Sequence, residues 1–182
     1  MINSKNELKR YMEMDAAALG LDPMKHYIFG KEIWKFQKCL RKYEYCINCC
    51  NVKPIRLLRY VVYRYWALKL GFVIPPNVFG GGLRINHYGN IVINPEARIG
   101  EWCDIHQGVN IGAGMDGGVP ELGNNIWIGP GAKMYGNIKI ANGCAIGANA
   151  VVNKDFLEPH CTIVGVPARI ISKVGNQYVR HK

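Results

Sequence analysis

Hydrophobic positions in the second half of this 182-residue chain recur every six residues. Ile93, Ile99, Ile105 and Ile111 fall at strict intervals, and after one irregular segment Leu122, Ile128, Met134, Ile140, Ile146 and Val152 resume the beat. Glycine follows directly at Gly100, Gly112, Gly123, Gly129 and Gly147. Small or apolar residues stand four positions after the beat at Ala97, Cys103, Val109, Ala132, Cys144 and Ala150. A period of six smears around an α-helix, which closes a turn every 3.6 residues. A flat strand alternates with period two. Period six suits a coil of very short strands with one corner and one inward aliphatic side chain per hexad. The pattern therefore predicts a mainly β chain, a parallel β-helix of hexapeptide repeats whose rungs stack to bury a continuous apolar column.

The first seventy residues carry a different rhythm and predict helices. Ser4 (or Asn3) can cap a helix, with Glu7 completing a capping-box pattern. Ile33, Phe36, Leu40 and Tyr43 form a helical stripe between about Lys31 and Cys50. Pro54 opens a further helix to Leu70, closed by Gly71 and barred from continuing by Pro75 and Pro76. The expected organisation is a helical region over 1–70, a β-helix over 71–173 and a tail over 174–182.

Charge changes this picture only in the helical region. Residues 1–70 hold fourteen Lys and Arg against six Asp and Glu, which accounts for most of the formal charge of +10. With Tyr60, Tyr63, Tyr65 and Trp66 interleaved, this region is either a solvated face whose aromatics pack inward or a surface for a membrane or another polyanion. No base-stacking or groove-reading motif points to nucleic acid. The most apolar run, Leu57 to Leu70, is interrupted by Arg59, Arg64 and Lys69 and is no membrane span. The first fifteen residues read as no signal peptide, so a cytoplasmic protein is expected. Seven cysteines are an odd set without secretory context. Cys46, Cys49 and Cys50 make half a zinc pattern that nothing completes, so no metal is expected.

Candidate chemistry lies where the six-residue beat breaks. From Ile85 to Ile93 the interval is eight, and the extra residues fall in Asn86-His87-Tyr88-Gly89-Asn90. From Ile111 to Leu122 a loop bulges out, containing Asp116 and Glu121. Loops on a rigid repeat are favoured places for function. A neutral imidazole at such a break suits general-base work near pH 7, which makes His87 the candidate catalytic residue. Asn86, Tyr88, His106 and Asp116 are candidate acceptor contacts. His106 follows the inward Ile105 and should point outward.

The segment Ile85-Asn86-His87-Tyr88-Gly89-Asn90-Ile91-Val92-Ile93 resembles the catalytic segment of serine acetyltransferases. The resemblance extends over about residues 70–173. It takes in Ile128-Gly129-Pro130-Gly131-Ala132-Lys133, Ile146-Gly147-Ala148-Asn149-Ala150 and the ending Gly165-Val166-Pro167-Ala168-Arg169. It implies a left-handed β-helix, a homotrimer and acetyl-CoA as donor. It further implies direct transfer to an acceptor hydroxyl with His87 as base, backbone contacts from Ala132 and Ala150 to the pantetheine arm, and Arg169 and Lys173 near the CoA phosphates.

Three positions depart from that family. The carboxylate that pairs with the catalytic histidine aligns with Phe72, and the aspartate before the histidine is Asn86. The Arg-His pair of the bulging loop is missing, leaving no cation in 113–121. A zwitterionic amino acid thus lacks its usual partners, which favours a neutral sugar hydroxyl. That acceptor matches the shorter relatives of surface-polysaccharide pathways, to which the chain is also similar. Serine remains the alternative acceptor, and a trimeric scaffold or binding platform the non-enzymatic one.

Overall fold

The computed structural model describes residues 1–25 and 30–177. Three helices precede the coil: α1 (Lys5–Ala18), α2 (Glu32–Cys49) and α3 (Lys53–Leu70). Ser4 caps α1 by accepting from the Glu7 backbone N–H at 3.1 Å. The Glu7 carboxylate reaches back to the backbone N–H of Asn3 at 2.6 Å, one residue earlier than a standard capping box requires. Pro54 lies in the first turn of α3. Gly71 ends that helix in the left-handed region, φ 75°, where a side chain is disfavoured.

From Phe72 onward the chain is a parallel β-solenoid with three faces. One face stacks Phe72–Val73, Ile91–Ile93, Asn110–Gly112, Lys133–Tyr135 and Val151–Val152, one strand per turn over five turns. The second stacks Arg84–Ile85, Asp104–Ile105, Trp127–Ile128, Ala145–Ile146 and Thr162–Val164, closed by the antiparallel Arg169–Ser172. The third and shortest stacks Arg98–Ile99, Glu121–Leu122 and Lys139–Ile140.

Every residue on the six-residue beat from Ile93 to Val152 is buried, at 5% exposure or less. The small residues four positions later (Ala97, Cys103, Val109, Ala132, Cys144 and Ala150) are buried with them. Identical registers put like on like: Ile85, Ile105, Ile128, Ile146 and Ile163 form one ladder. Cross-strand hydrogen bonds run along the coil axis, so each rung is a template for the next. Gly80 lies so close to the neighbouring turn that a Cβ there would sit 2.8 Å from backbone atoms of Gly100 and Glu101.

The helices cap the first turn through a buried ionic knot. Arg41 is fully enclosed and bonds Asp15 at 2.8 Å, Glu44 at 3.0 Å, and the carbonyls of Phe79 at 3.0 Å and Gly80 at 2.6 Å. Asp15 also accepts from the backbone N–H groups of Gly82 and Leu83, at 2.8 and 2.9 Å. Burial pushes the Glu44 carboxyl upward, and the Arg41 charge pulls it back. Gln37 donates to the Leu83 carbonyl and Tyr63 to the Ile74 carbonyl. Phe36 and Phe72 meet edge-on at 5.1 Å, continuing the apolar column into the helices.

Removing one member of such a knot strands the others without water or partner. Arg41→Ala is expected to lower unfolding stability by about 3–5 kcal/mol, read as a fall in the denaturant midpoint. Lys9→Ala, which breaks only the exposed pair with Glu13, should shift it by less than about 1 kcal/mol.

Candidate active site

The corner between the second and first faces collects most of the residues singled out from sequence. It is built from 86–90, 106–109, 129–132 and 147–150, each lying between a strand of one face and a strand of the other. Backbone bonds tie these corners into one edge. Gly131 N–H donates to the Gln107 carbonyl and Asn149 N–H to the Pro130 carbonyl, both at 2.9 Å. A turn takes eighteen residues between Val92 and Asn110 but twenty between Ile85 and Ile105. The two additional residues push the first corner outward, and His87 and Tyr88 are exposed on it. Among the described residues no hydrogen bond reaches the His87 ring, whose nearest aromatic neighbour is His106 at 6.1 Å between centroids.

Behind His87 stands a polar cluster centred on Asp104, which is 2% exposed. Its carboxylate pairs with Arg84 at 2.9 Å and accepts from the Asn86 side-chain amide. His106 Nε2 lies 3.7 Å from the same carboxylate, too far to bond it, and has no hydrogen-bond partner among the described residues. His106 was expected to point outward. It does lie outside the buried column, but is partly covered there, packed edge-on against Trp127 at 5.0 Å, because Trp127 occupies the rung directly beyond Asp104. Burial lowers the His106 pKa below its ordinary value. Asp104 opposes that shift, and His87 and Arg84 add to it.

A cavity of about 360 Å³ opens beside this cluster, between the helices and the first corner. Asn86, Tyr88 and Arg84 form its coil wall; Lys31, Glu32 and Trp34 form its helical wall. The Trp34 ring is fully buried, and its Nε1 has no hydrogen-bond partner among the described residues. This cavity bears on the charge argument made from sequence. The bulging loop lacks a cation, but α2 and its cap supply Lys31 and Glu32, and the coil supplies Arg84. Both signs of charge therefore line one space.

Ala132 and Ala150 stack on the same edge as His87, one turn apart, with their side chains in the core. Their backbone N–H groups already donate to Gly129 and Gly147, at 3.3 and 3.2 Å. Their carbonyls accept from Asn110 and Lys133, so each retains one carbonyl lone pair for a ligand. The Gly165–Ala168 turn continues this edge: Val151 N–H donates to the Gly165 carbonyl and Ala168 N–H to the Val151 carbonyl. Arg169 follows it and is exposed. Lys173 is also exposed and pairs with Glu158 at 2.9 Å, a contact that raises its pKa.

Asp116 does not share this edge. Its loop, held by Gly114 N–H to the Gly118 carbonyl at 2.8 Å, leaves the coil at the corner between the first and third faces. Phe72 is 1% exposed and packs against Phe36. Of the residues that shape the site, Arg84, Asp104, Glu32, Lys31 and Trp34 were not singled out from sequence. Asp104 and Arg84 share a register across a twenty-residue turn, which the broken beat conceals. Among the described residues no cluster of three or more His, Cys, Asp or Glu could hold a metal ion. His26 and His181 lie outside the described residues.

The depressed pKa of His106 has a consequence for stability. The unfolded chain takes up this proton near the ordinary pKa of about 6.5, whereas the folded chain takes it up only at lower pH. The stabilisation is complete above the unfolded value and declines as pH falls towards the folded one. Wild type is therefore expected to lose stability relative to His106→Gln between about pH 7 and pH 5, measured by denaturant titration at each pH.

Residues 120–154 match the family described as bacterial transferase hexapeptide, six repeats. Serine acetyltransferase of Synechococcus elongatus is 41% identical over 112 residues, which cover 59% of this chain and 46% of that protein. Serine acetyltransferase of Buchnera aphidicola is 33% identical over 165 residues, covering 88% of this chain and 63% of that protein. Among solved structures, soybean serine acetyltransferase complexed with serine superposes with a TM-score of 0.76 at 26% identity, covering 92% of this chain and 70% of that one. The chain thus spans roughly half to two thirds of the length of these curated relatives. Its coil is of the hexapeptide type found in bacterial transferases, and the proteins it is similar to are serine acetyltransferases.

Proposed function

We propose that this chain is an O-acetyltransferase that moves acetyl from acetyl-CoA directly to the hydroxyl of serine. The observation that carries the acceptor is the cavity beside Asn86 and Tyr88, whose lining includes one carboxylate, Glu32, and two cations, Lys31 and Arg84, the charges that the ammonium and carboxylate of serine would need. The sequence alone favoured a sugar hydroxyl of a surface polysaccharide. The charged cavity and the serine acetyltransferase relatives both weigh towards serine instead.

In this reading His87 takes the proton of the acceptor hydroxyl as its oxygen attacks the thioester carbonyl carbon. The new C–O bond forms, the C–S bond breaks, and His87 returns the proton to the departing thiolate. A positioned general base contributes about 10²–10⁴-fold. The Phe72 side chain cannot orient the imidazole. The fixed point beside His87 is instead the Asn86 side chain anchored on buried Asp104, which makes Asp104 a positioning residue. The donor arm lies along the edge shared by His87, Ala132 and Ala150, with Arg169 and Lys173 near its phosphates. Their cationic groups suit that task, and Lys173 would exchange Glu158 for a phosphate.

We further propose the closed trimer that the resemblance implies. Asp116 lies on a different corner from His87, so an acceptor site that used both would need two subunits. A neutral sugar hydroxyl remains the second reading, favoured by the amide at Asn86, which offers no charge to an ammonium group.

The deciding assay follows thiol release from acetyl-CoA with serine and, in parallel, with neutral sugars as acceptors. Serine-dependent release supports the proposal, and release with sugars alone transfers it to the second reading. His87→Ala should lower kcat by about 10²–10⁴-fold while CoA still raises the melting temperature; no CoA-dependent shift at millimolar concentration would leave a scaffold. Glu32→Gln should raise KM for serine by about ten- to a hundredfold, the worth of one hydrogen bond to a charged group, with KM for acetyl-CoA unchanged.

A further inference from the structure

Helix α3 has two apolar faces, and only one of them is used inside the protein. Tyr63, Ala67 and Leu70 are buried against the coil and α2. At about 100° per residue, Leu57, Val61 and Leu68 fall together on the opposite side, with Tyr65 and Leu58 completing the stripe. These five side chains are 54–68% exposed. Every residue from Val52 to Val62 is exposed, and Tyr60 meets Tyr43 of α2 at 5.7 Å between ring centroids, so the first turns of α3 touch the rest of the protein along one side only. Soluble helices turn their polar side to water, whereas α3 leaves an apolar stripe in water beside its exposed cations.

The charges of α3 indicate what covers that stripe. Its eighteen residues include Lys53, Arg56, Arg59, Arg64 and Lys69 and no Asp or Glu. Arg64 and Lys69 flank the apolar stripe on either side. Among the described residues none of the five cations lies within ion-pair distance of a carboxylate. A symmetric contact between two copies of this stripe would set the cations that border it, Lys53, Arg64 and Lys69, against their own copies with no carboxylate on α3 to offset them. A nucleic acid would take the cations but leave Leu57, Leu58, Val61 and Leu68 in water. An anionic lipid surface satisfies both groups, since the aliphatic stripe enters the acyl boundary while Arg and Lys meet the headgroups. No described helix is long and apolar enough to cross a membrane, so α3 would lie in the interface plane.

We propose that the outward face of α3 docks this protein peripherally on anionic membrane surfaces. This is independent of the acetyl acceptor. The test is flotation of the full chain with vesicles of phosphatidylcholine alone and of phosphatidylcholine with phosphatidylglycerol, at low and physiological salt, with the oligomeric mass measured by light scattering. Binding is expected to the anionic vesicles only and to weaken as salt rises. The triple variant Leu57→Ser, Leu58→Ser, Leu68→Ser should bind at least tenfold more weakly. So should Arg64→Gln with Lys69→Gln, since each basic residue near such a surface is worth about fivefold. All replaced side chains are exposed or half-buried, and unchanged melting temperatures establish folding. Failure of the wild type to float with anionic vesicles overturns the proposal. So does undiminished binding of the serine variant. A fall in oligomeric mass for that variant, with vesicle binding intact, assigns the stripe to a second copy instead.

Discussion

The stacking of one aliphatic side chain per hexad on its equivalents in the turns before and after is the constraint on which this molecule depends. No single rung can bury its own apolar side, because two or three residues per strand enclose nothing. Burial begins only when turns share a register, and the backbone hydrogen bonds along the coil axis then hold that register. The Ile85–Ile105–Ile128–Ile146–Ile163 ladder shows how little variation this permits. Substituting in that ladder removes contacts from two neighbouring turns as well as its own.

Such a scaffold makes departures from its period consequential. Two extra residues after Ile85 leave the ladder intact and go entirely into the corner, where they expose His87 and Tyr88. The longer insertion after Ile111 likewise goes outward, carrying Asp116 to a different corner. The strict interior thus converts insertions into surface features of defined position. Asp104 shows the complementary case, in which a carboxylate in a buried strand is tolerated because Arg84 and the Asn86 amide satisfy it. That arrangement links the rung below to the residue preceding His87 and places a charge beside the imidazole of His106.

The helical region does two kinds of work with one set of charges. Arg41, Asp15 and Glu44 are withdrawn from water and fasten the helices to the first turn, reaching the backbone of Phe79, Gly80, Gly82 and Leu83. The remaining cations are exposed or half-buried, mostly exposed on α3 and half-buried on α2. The excess of Lys and Arg over Asp and Glu is thereby a property of the outside of this region alone. Exposed Lys31 and half-buried Glu32, at the start of α2, also line the cavity beside Asn86.

The sequence by itself determined the coil, its core residues, the three helices with the Ser4 cap of α1 and the Gly71 end of α3, and the breaks at which His87 and Asp116 stand. All of these are local or periodic properties, written in residues close together along the chain. The edge shared by His87, Ala132 and Ala150 was also legible, because a fixed period converts sequence distance into stacking. What lay out of reach was whatever crossed between the two rhythms. The Arg41 knot joins residues up to 68 positions apart, and the cavity brings Glu32 to Asn86. The broken beat hid the Arg84–Asp104 pairing, and the partial covering of His106 depended on Trp127 in another turn. No period relates a helix to the coil it caps, so only the tertiary structure decided which charges meet, and with them the electrostatic character of the cavity beside Asn86.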